Sequence, residues 1–311
     1  MSLINKRIHQ RILEKKKRLD GYRPLPPVLV ARLRDELIIE YTYDSNAIEG
    51  STLTLRETRL VIEEGITIGG SSIKEYLGAK NHPEAIKFIE DVIKRGKDID
   101  EEVVLRLHEL ILQDMEEDAG KYRTSGVRIA GATFQPPPSS KVRSMTIELL
   151  KWLRENPDEL TPIELAAVFH QRFVTIHPFA EGNGRIARLL TNGVLFQYGY
   201  PFITNITVKD RKKYLRNLSE ADMGNISAFV NFIARNVEHA LAIYLRAVEE
   251  PEVLSLEEAS KYSPYSQEYL SFLARKGAIG AFKKGRKWYI TKNDLEGYVK
   301  SIKAKKNKAT K

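Results

Sequence analysis

One run of twelve residues constrains this chain more than any other: His177-Pro-Phe-Ala-Glu181-Gly-Asn-Gly184-Arg185-Ile-Ala-Arg188. The segments on either side, ELAAVFHQRFVTI and LLTNGVLFQYG, are apolar with helical spacing, so the charged run reads as a loop that opens a buried helix. Gly182-Asn183-Gly184 lets the backbone turn tightly and leaves amides free to face an anion at the helix start. Arg185 and Arg188 are three apart and share a helical face. A carboxylate beside such a nest needs a cation between it and the anion, which makes Glu181 a candidate Mg²⁺ ligand with phosphate oxygens completing the shell. His177 lies across the loop, where an imidazole can take a proton from an attacking group. These residues point to phosphate-ester chemistry on a nucleotide.

The same run resembles the signature of the Fic family, His-Pro-Phe-x-(Asp/Glu)-Gly-Asn-Gly-Arg-x-x-Arg, and matches it at every fixed position. Upstream, Ser45-Asn-Ala-Ile-Glu49-Gly50 resembles the family's inhibitory motif, (Ser/Thr)-x-x-x-Glu-(Gly/Asn). Ser45 and Glu49 are four apart, on one face of a helix. The resemblance implies that Glu49 pairs with Arg188 and so occupies the place of the γ-phosphate. With this motif before its signature, the chain resembles the sub-class of the family that carries its inhibitor N-terminally.

Composition bounds the rest. At 311 residues and 42% hydrophobic content, the chain suits one large and one small soluble domain. It has no cysteine, which excludes disulfides and thiolate metal sites. No apolar run approaches the ~20 residues of a membrane span. The N-terminus lacks a signal-peptide core, so the expected setting is cytoplasmic, with no membrane partner. Of the net charge of +9, residues 252–311 carry +8, with fourteen Lys and Arg against six Asp and Glu.

In chain order, residues 2–19 suit a basic amphipathic helix, and a connector at 22–27 leads to a long helix ended by Gly50. Thr54-Leu-Arg-Glu57 and Thr161-Pro-Ile-Glu164 read as capping boxes. Residues 72–95 read as one helix that Pro83 should kink or break. His82, His108 and His170 read as structural. Residues 120–138 change character, with Val127 and Ile129 alternating, Gly131 turning, Phe134 returning and Pro136–Pro138 ending a short hairpin. In the Fic family a hairpin here is a flap that aligns the target segment by strand addition. Family members often carry a Tyr-Tyr pair and an Asn-x-Gly-Asp turn near the adenosine. This chain has Lys213-Tyr214 and Asp222-Met-Gly224-Asn225 instead, leaving Tyr214 as the residue to stack on the base.

After Glu249-Glu-Pro251 the pattern becomes helix, turn, helix, hairpin and capped helix, similar to the winged helix-turn-helix of excisionase-like proteins. Lys283, Lys284, Arg286 and Lys287 cluster on the wing, suited to phosphate contacts with DNA; a protein-docking role fits the pattern equally. The expected organisation is N-terminal helices over 1–50, a Fic core over 51–250, a winged helix over 251–302 and a basic tail over 303–311. The fold class is mainly α, a Fic-type helical core with a β-hairpin flap plus the small C-terminal domain.

The resemblance implies an enzyme that moves AMP from ATP, with Mg²⁺, onto a Ser, Thr or Tyr hydroxyl of a target protein. His177 would be the base and Glu181 the metal ligand. Gly182, Asn183 and Gly184 would cradle the phosphates, and Arg185 and Arg188 would offset charge on pyrophosphate. In the family the inhibitory glutamate can also position a water that removes AMP, and the sequence leaves that open. Transfer of another phosphate-containing group ranks lower, because members that do so depart from Gly-Asn-Gly-Arg. The alternative from another class is a DNA-bound regulator whose Fic fold senses nucleotide. Fic proteins often form homodimers, although no residue here shows one.

Overall fold

The computed structural model describes residues 2–129, 134–201, 206–249, 253–284 and 287–309. The chain packs as two units, Met1–Leu245 and Arg246–Lys311. The first holds α1 (Lys6–Asp20), α2 (Pro27–Ile48), α3 (Leu55–Glu64), α4 (Ile73–Lys94), α5 (Glu101–Leu112), α6 (Ser139–Glu155), α7 (Pro162–Ile176), α8 (Asn183–Gln197), α9 (Arg211–Asp222) and most of α10 (Ile226–Glu249). The two N-terminal helices thus belong to the same packed unit as the signature.

Helix α8 is the axis of this unit. All of its residues from Arg185 to Leu195 are buried, and it packs against α7, α4, α5 and α2. A helix apolar all round must be enclosed, and the sequence LLTNGVL requires that here. At Gly193 a Cβ would come within 2.9 Å of Ile89 on α4, so the glycine sets how closely the two helices approach.

Local signals set the helix starts. Both expected capping boxes form, Thr54 with Glu57 and Thr161 with Glu164, and a third joins Ser72 to Glu75. Glu164 also accepts from Ser2 Oγ and the Leu3 amide, which ties the N-terminus to α7. The break expected at Pro83 does not occur, and α4 runs unbroken through it. Ala79, Asn81, His82, Ala85, Ile86 and Ile89 are all buried, so tertiary burial outweighs the bond that proline forfeits.

The hairpin expected at 120–138 is not present as paired strands among the described residues. Val127, Ile129 and Phe134 lie in irregular backbone, and Gly131, with the rest of 130–133, lies outside the described residues. Among the described residues, the carbonyls of Ser125 and Pro137 near the segment's two ends accept from Arg123.

The second unit contains β1 (Val253–Ser255), α11 (Leu256–Lys261), α12 (Gln267–Arg275), β2 (Ala281–Lys284), β3 (Lys287–Thr291) and α13 (Lys292–Ala309). Its antiparallel sheet has the order β1-β3-β2. Leu254, Leu256, Leu270, Leu273, Ile290 and Leu295 are among the residues of its core. Helix α13 continues to Ala309, so residues 303–309 extend a helix rather than trail from it. Arg286 of the wing cluster lies outside the described residues, whereas Lys283 sits over the Trp288 ring at 5.4 Å.

Three histidines are buried in the first unit. Burial pushes His170 down to about 3 and His108 to about 4, and it lowers His82 well below its ordinary value. A histidine neutral when folded and protonated when unfolded contributes stability that is complete above pH ~6.5 and lost as pH falls toward the folded value. Asp44, pushed up to about 6 by burial, acts in the opposite direction over part of that range. We therefore expect urea unfolding free energies to fall between pH 6.5 and pH 4.5 by roughly 2–3 kcal/mol per pH unit, about one per histidine less the aspartate's offset. A flat profile over that window would contradict the burial of these rings.

Candidate active site

Helix α7 delivers His177 and α8 begins at Asn183, so the signature is the loop between two buried helices. Gly182, at φ +80°, caps α8, and no side chain caps that helix start. Asn183 closes the loop on itself. Its Oδ1 accepts from the Phe179 amide at 3.0 Å, and its Nδ2 donates to the Phe179 carbonyl at 2.8 Å. The Asn183 side chain is therefore committed to the loop, which leaves backbone amides to meet a ligand and corrects the expectation that this side chain cradles phosphate.

Arg188 is 1% exposed. Its Nε donates to Ser45 Oγ at 3.0 Å, and its Nη2 donates to the Ser45 carbonyl and to Glu49 Oε1, each at 2.8 Å. Both residues of the α2 motif thus reach the signature arginine. Burial alone would raise the Glu49 carboxyl, but Arg188, then Arg185 and Arg211, hold it below the usual range. Glu49 remains 43% exposed at its side chain, so this carboxylate sits at the mouth and not in the core. At Gly184 a Cβ would overlap Glu49 Oε1 and lie 3.1 Å from Arg188 Nη1, so only glycine admits the carboxylate there.

The site has unused positive capacity. Arg185 Nε and Arg188 Nη1 are buried with no hydrogen-bond partner among the described residues. Buried charge without full pairing is costly, and an anion entering beside Glu49, or in its place, would meet these donors. Glu181 is exposed at the same mouth, and its carboxylate makes no ion pair or hydrogen bond among the described residues. It is near enough to Arg185 and Lys74 to act on their charge. A hard cation fits this donor set: one free carboxylate, with oxygens from a phosphate. No group of three or more metal-ligating side chains is assembled among the described residues.

His177 ends α7 in the left-handed region at φ +52°. Its Nδ1 faces the Val174 carbonyl at 3.2 Å, so the proton resides on Nδ1 and Nε2 keeps its lone pair. Burial, opposed by that bond and assisted by the charge of Arg123, lowers the ring below its ordinary value. The imidazole is therefore neutral, and a proton acceptor, at neutral pH.

Supports from outside the signature surround the loop. The Gly120 amide donates to His108 Nδ1 at 2.9 Å, which leaves His108 Nε2–H to donate to the Glu181 carbonyl at 3.2 Å. The His108 ring stacks on Phe179, 3.7 Å between centroids. Arg123, 5% exposed, donates through Nε to the His177 carbonyl at 2.7 Å. Arg211 donates to the Ile48 carbonyl at 2.7 Å, just before Glu49. Arg123 stands in the run Gly120-Lys-Tyr-Arg123 that opens the expected flap segment and Arg211 in no motif, and only the fold aims them inward.

Tyr214 does not occupy a place where a base could stack. It is 2% exposed, among Phe229 and Phe232, and its hydroxyl lies 2.9 Å from His170 Nε2. His170 Nδ1 in turn meets Thr191 Oγ1 at 2.8 Å. The tyrosine serves the core behind Arg188. Asp222, at the altered turn, accepts from Gln171 Nε2 at 2.8 Å and so binds α9 to α7.

A helical unit with a glycine-turned helix start, two buried arginines and a neutral histidine defines a protein built to hold an anion beside a base. Residues 98–195 match the Fic/DOC family model, and residues 253–302 match a helix-turn-helix domain model. A solved Fic domain containing signaling protein from Bacteroides thetaiotaomicron is 31% identical with a TM-score of 0.72, covering 77% of this chain and 98% of that one. Caenorhabditis elegans Fic-1 is 29% identical with a TM-score of 0.70, covering 78% and 73%. The protein adenylyltransferase Fic of Nematostella vectensis is 34% identical over 225 residues, 71% of this chain and 52% of that one. This chain belongs to the Fic/DOC family. It spans about half the length of the curated relatives it matches.

Ser45→Ala removes the acceptor of a buried guanidinium N–H and should cost about 1–3 kcal/mol. Urea denaturation of the variant at neutral pH measures this, and a change under about 0.5 kcal/mol would mean that the Ser45–Arg188 bond is not maintained.

Proposed function

We propose that this chain is a protein AMP transferase that uses ATP and Mg²⁺, held off at rest by Glu49. The observation that carries the reading is the pairing of Glu49 with Arg188 beside a neutral His177 whose Nε2 is free to accept a proton. A Ser, Thr or Tyr hydroxyl of a target protein attacks the α-phosphorus of ATP, its proton passing to His177 Nε2. The new O–P bond forms as the bond to the β-phosphate breaks, and pyrophosphate departs with the electron pair. Amides at Gly182–Gly184 and the guanidinium groups of Arg185 and Arg188 offset the phosphate charge. Mg²⁺, held by Glu181 and phosphate oxygens, would supply further charge neutralisation. Glu49 competes for the same arginine, so an anion that displaces it also removes the inhibitory contact.

Intact mass after incubation with Mg·ATP tests this. We expect an added AMP on Glu49→Gly at a level at least about tenfold above wild type, and none on Glu49→Gly with His177→Ala. If Glu49→Gly binds ATP no better than wild type, the inhibition reading fails. If it binds better and no AMP adduct forms on itself or on proteins of a cell extract, the transfer reading fails. Because His177 must be neutral to act, the rate should fall as pH drops below the ring's lowered pKa and level off above it; a rate that rises on acidification would exclude it as the base.

The helix-turn-helix match and the charge of +8 over residues 252–311 favour a second, compatible role in DNA binding. Helix α12 exposes Tyr269, Phe272 and Arg275, and Lys276 is exposed just after it. Fluorescence anisotropy on a labelled duplex should show binding that weakens at least about tenfold between about 50 and about 200 mM salt and disappears on deleting 253–302. Absence of binding at the lower salt would leave protein docking as the role of this unit.

A further inference from the structure

We propose that Arg123 is a positioning residue for His177, one guanidinium that joins both roots of the expected flap segment to the signature loop. The kinetic part of this rests on the AMP-transfer reading.

The argument begins with how α7 ends. The His177 amide donates to the Phe173 carbonyl at 3.0 Å, the bond expected of a residue in the left-handed position after a helix. A second backbone bond often closes such an end, donated by the following residue. Here that residue is Pro178, which has no N–H. The last carbonyls of α7 must find donors elsewhere. The His177 ring takes the Val174 carbonyl through Nδ1, and Arg123 takes those of Ile176 and His177.

Its Nε donates to the His177 carbonyl at 2.7 Å, and its Nη2 to the Ile176 carbonyl at 3.4 Å. Nη2 also reaches the Pro137 carbonyl at 2.6 Å, and Nη1 the Ser125 carbonyl at 2.9 Å. The Arg123 amide donates to the Pro178 carbonyl at 3.0 Å. Every one of these acceptors is a backbone carbonyl, and among the described residues no carboxylate pairs with the guanidinium. Ser125 and Pro137 bracket residues 126–136, the segment expected to receive a target. One planar group therefore spans the two ends of that segment and the backbone of the residue whose ring accepts the proton. Lysine, with one ammonium centre, cannot reach the same set. Movement at the flap roots is transmitted to the His177 backbone, and with it to the Nδ1 contact that keeps Nε2 basic.

The test places Arg123→Lys and Arg123→Met in the Glu49→Gly background. ¹⁵N NMR of the histidine rings, without nucleotide, reads the tautomer and titration of His177. Calorimetry reads ATP affinity, and intact mass reads AMP addition. We expect ATP affinity within about threefold of the parent and AMP addition lowered about a hundredfold in both variants. The methionine variant should also show a mixed tautomer and a His177 midpoint shifted upward. Unchanged His177 nitrogen shifts, or full activity of Arg123→Lys, would overturn the proposal. So would unfolding of both variants, which would assign the residue to stability alone. If the Glu49→Gly parent forms no adduct, the AMP-transfer reading is what fails, and the NMR arm still decides whether Arg123 positions the ring.

Discussion

A guanidinium taken fully out of water must be met by acceptors, and the site depends on how that is done at Arg188. Helix α8 is enclosed on all sides, so its second signature arginine has no route to solvent. The fold answers with Ser45 and Glu49 from α2, a helix more than a hundred residues earlier in the chain. Ser45 and its carbonyl are permanent partners held at the core. Glu49 is half-exposed, so under the proposed function it is the acceptor that an incoming anion replaces. On that proposal, the split between fixed and replaceable partners turns a packing requirement into a site that can be opened.

The loop around it is held from outside. Asn183 closes the turn, His108 and Phe179 set its middle, and Arg123 secures the end of α7. Three of these four contacts use side chains to satisfy backbone groups. The reason is local. The loop contains Pro178, lies between two helix termini, and so leaves several backbone groups without partners in either helix. A loop whose own backbone cannot pair internally is rigid only when neighbours supply the missing groups, and rigidity at His177 and Gly184 is what the chemistry of the site would need.

Much of this was legible beforehand. The signature, its position between two helices, the capping boxes and the α2 motif could all be read as residue types at fixed spacing. Such features are local, and local rules describe them. The single helix expected over residues 72–95 forms, and the break offered at Pro83 is absent because local propensity takes no account of the burial of α4. Tyr214 was misread because residue type says nothing about which side of α9 faces the core. The flap segment alternates like a hairpin, and its turn lies outside the described residues.

The sequence by itself determined the chemistry available: a base, two cations, a carboxylate and a glycine turn within twelve residues, and a separate basic unit at the C-terminal end. Covalent order and helical periodicity suffice for that. The tertiary structure alone decided which partners those groups have. It brought Glu49 onto Arg188, turned Asn183 inward, placed Arg123 behind His177 and buried Tyr214 against His170. Apart from the local turn at Asn183, those contacts join residues 44 to 139 positions apart, and only the packing of helices around α8 brings them within hydrogen-bonding distance.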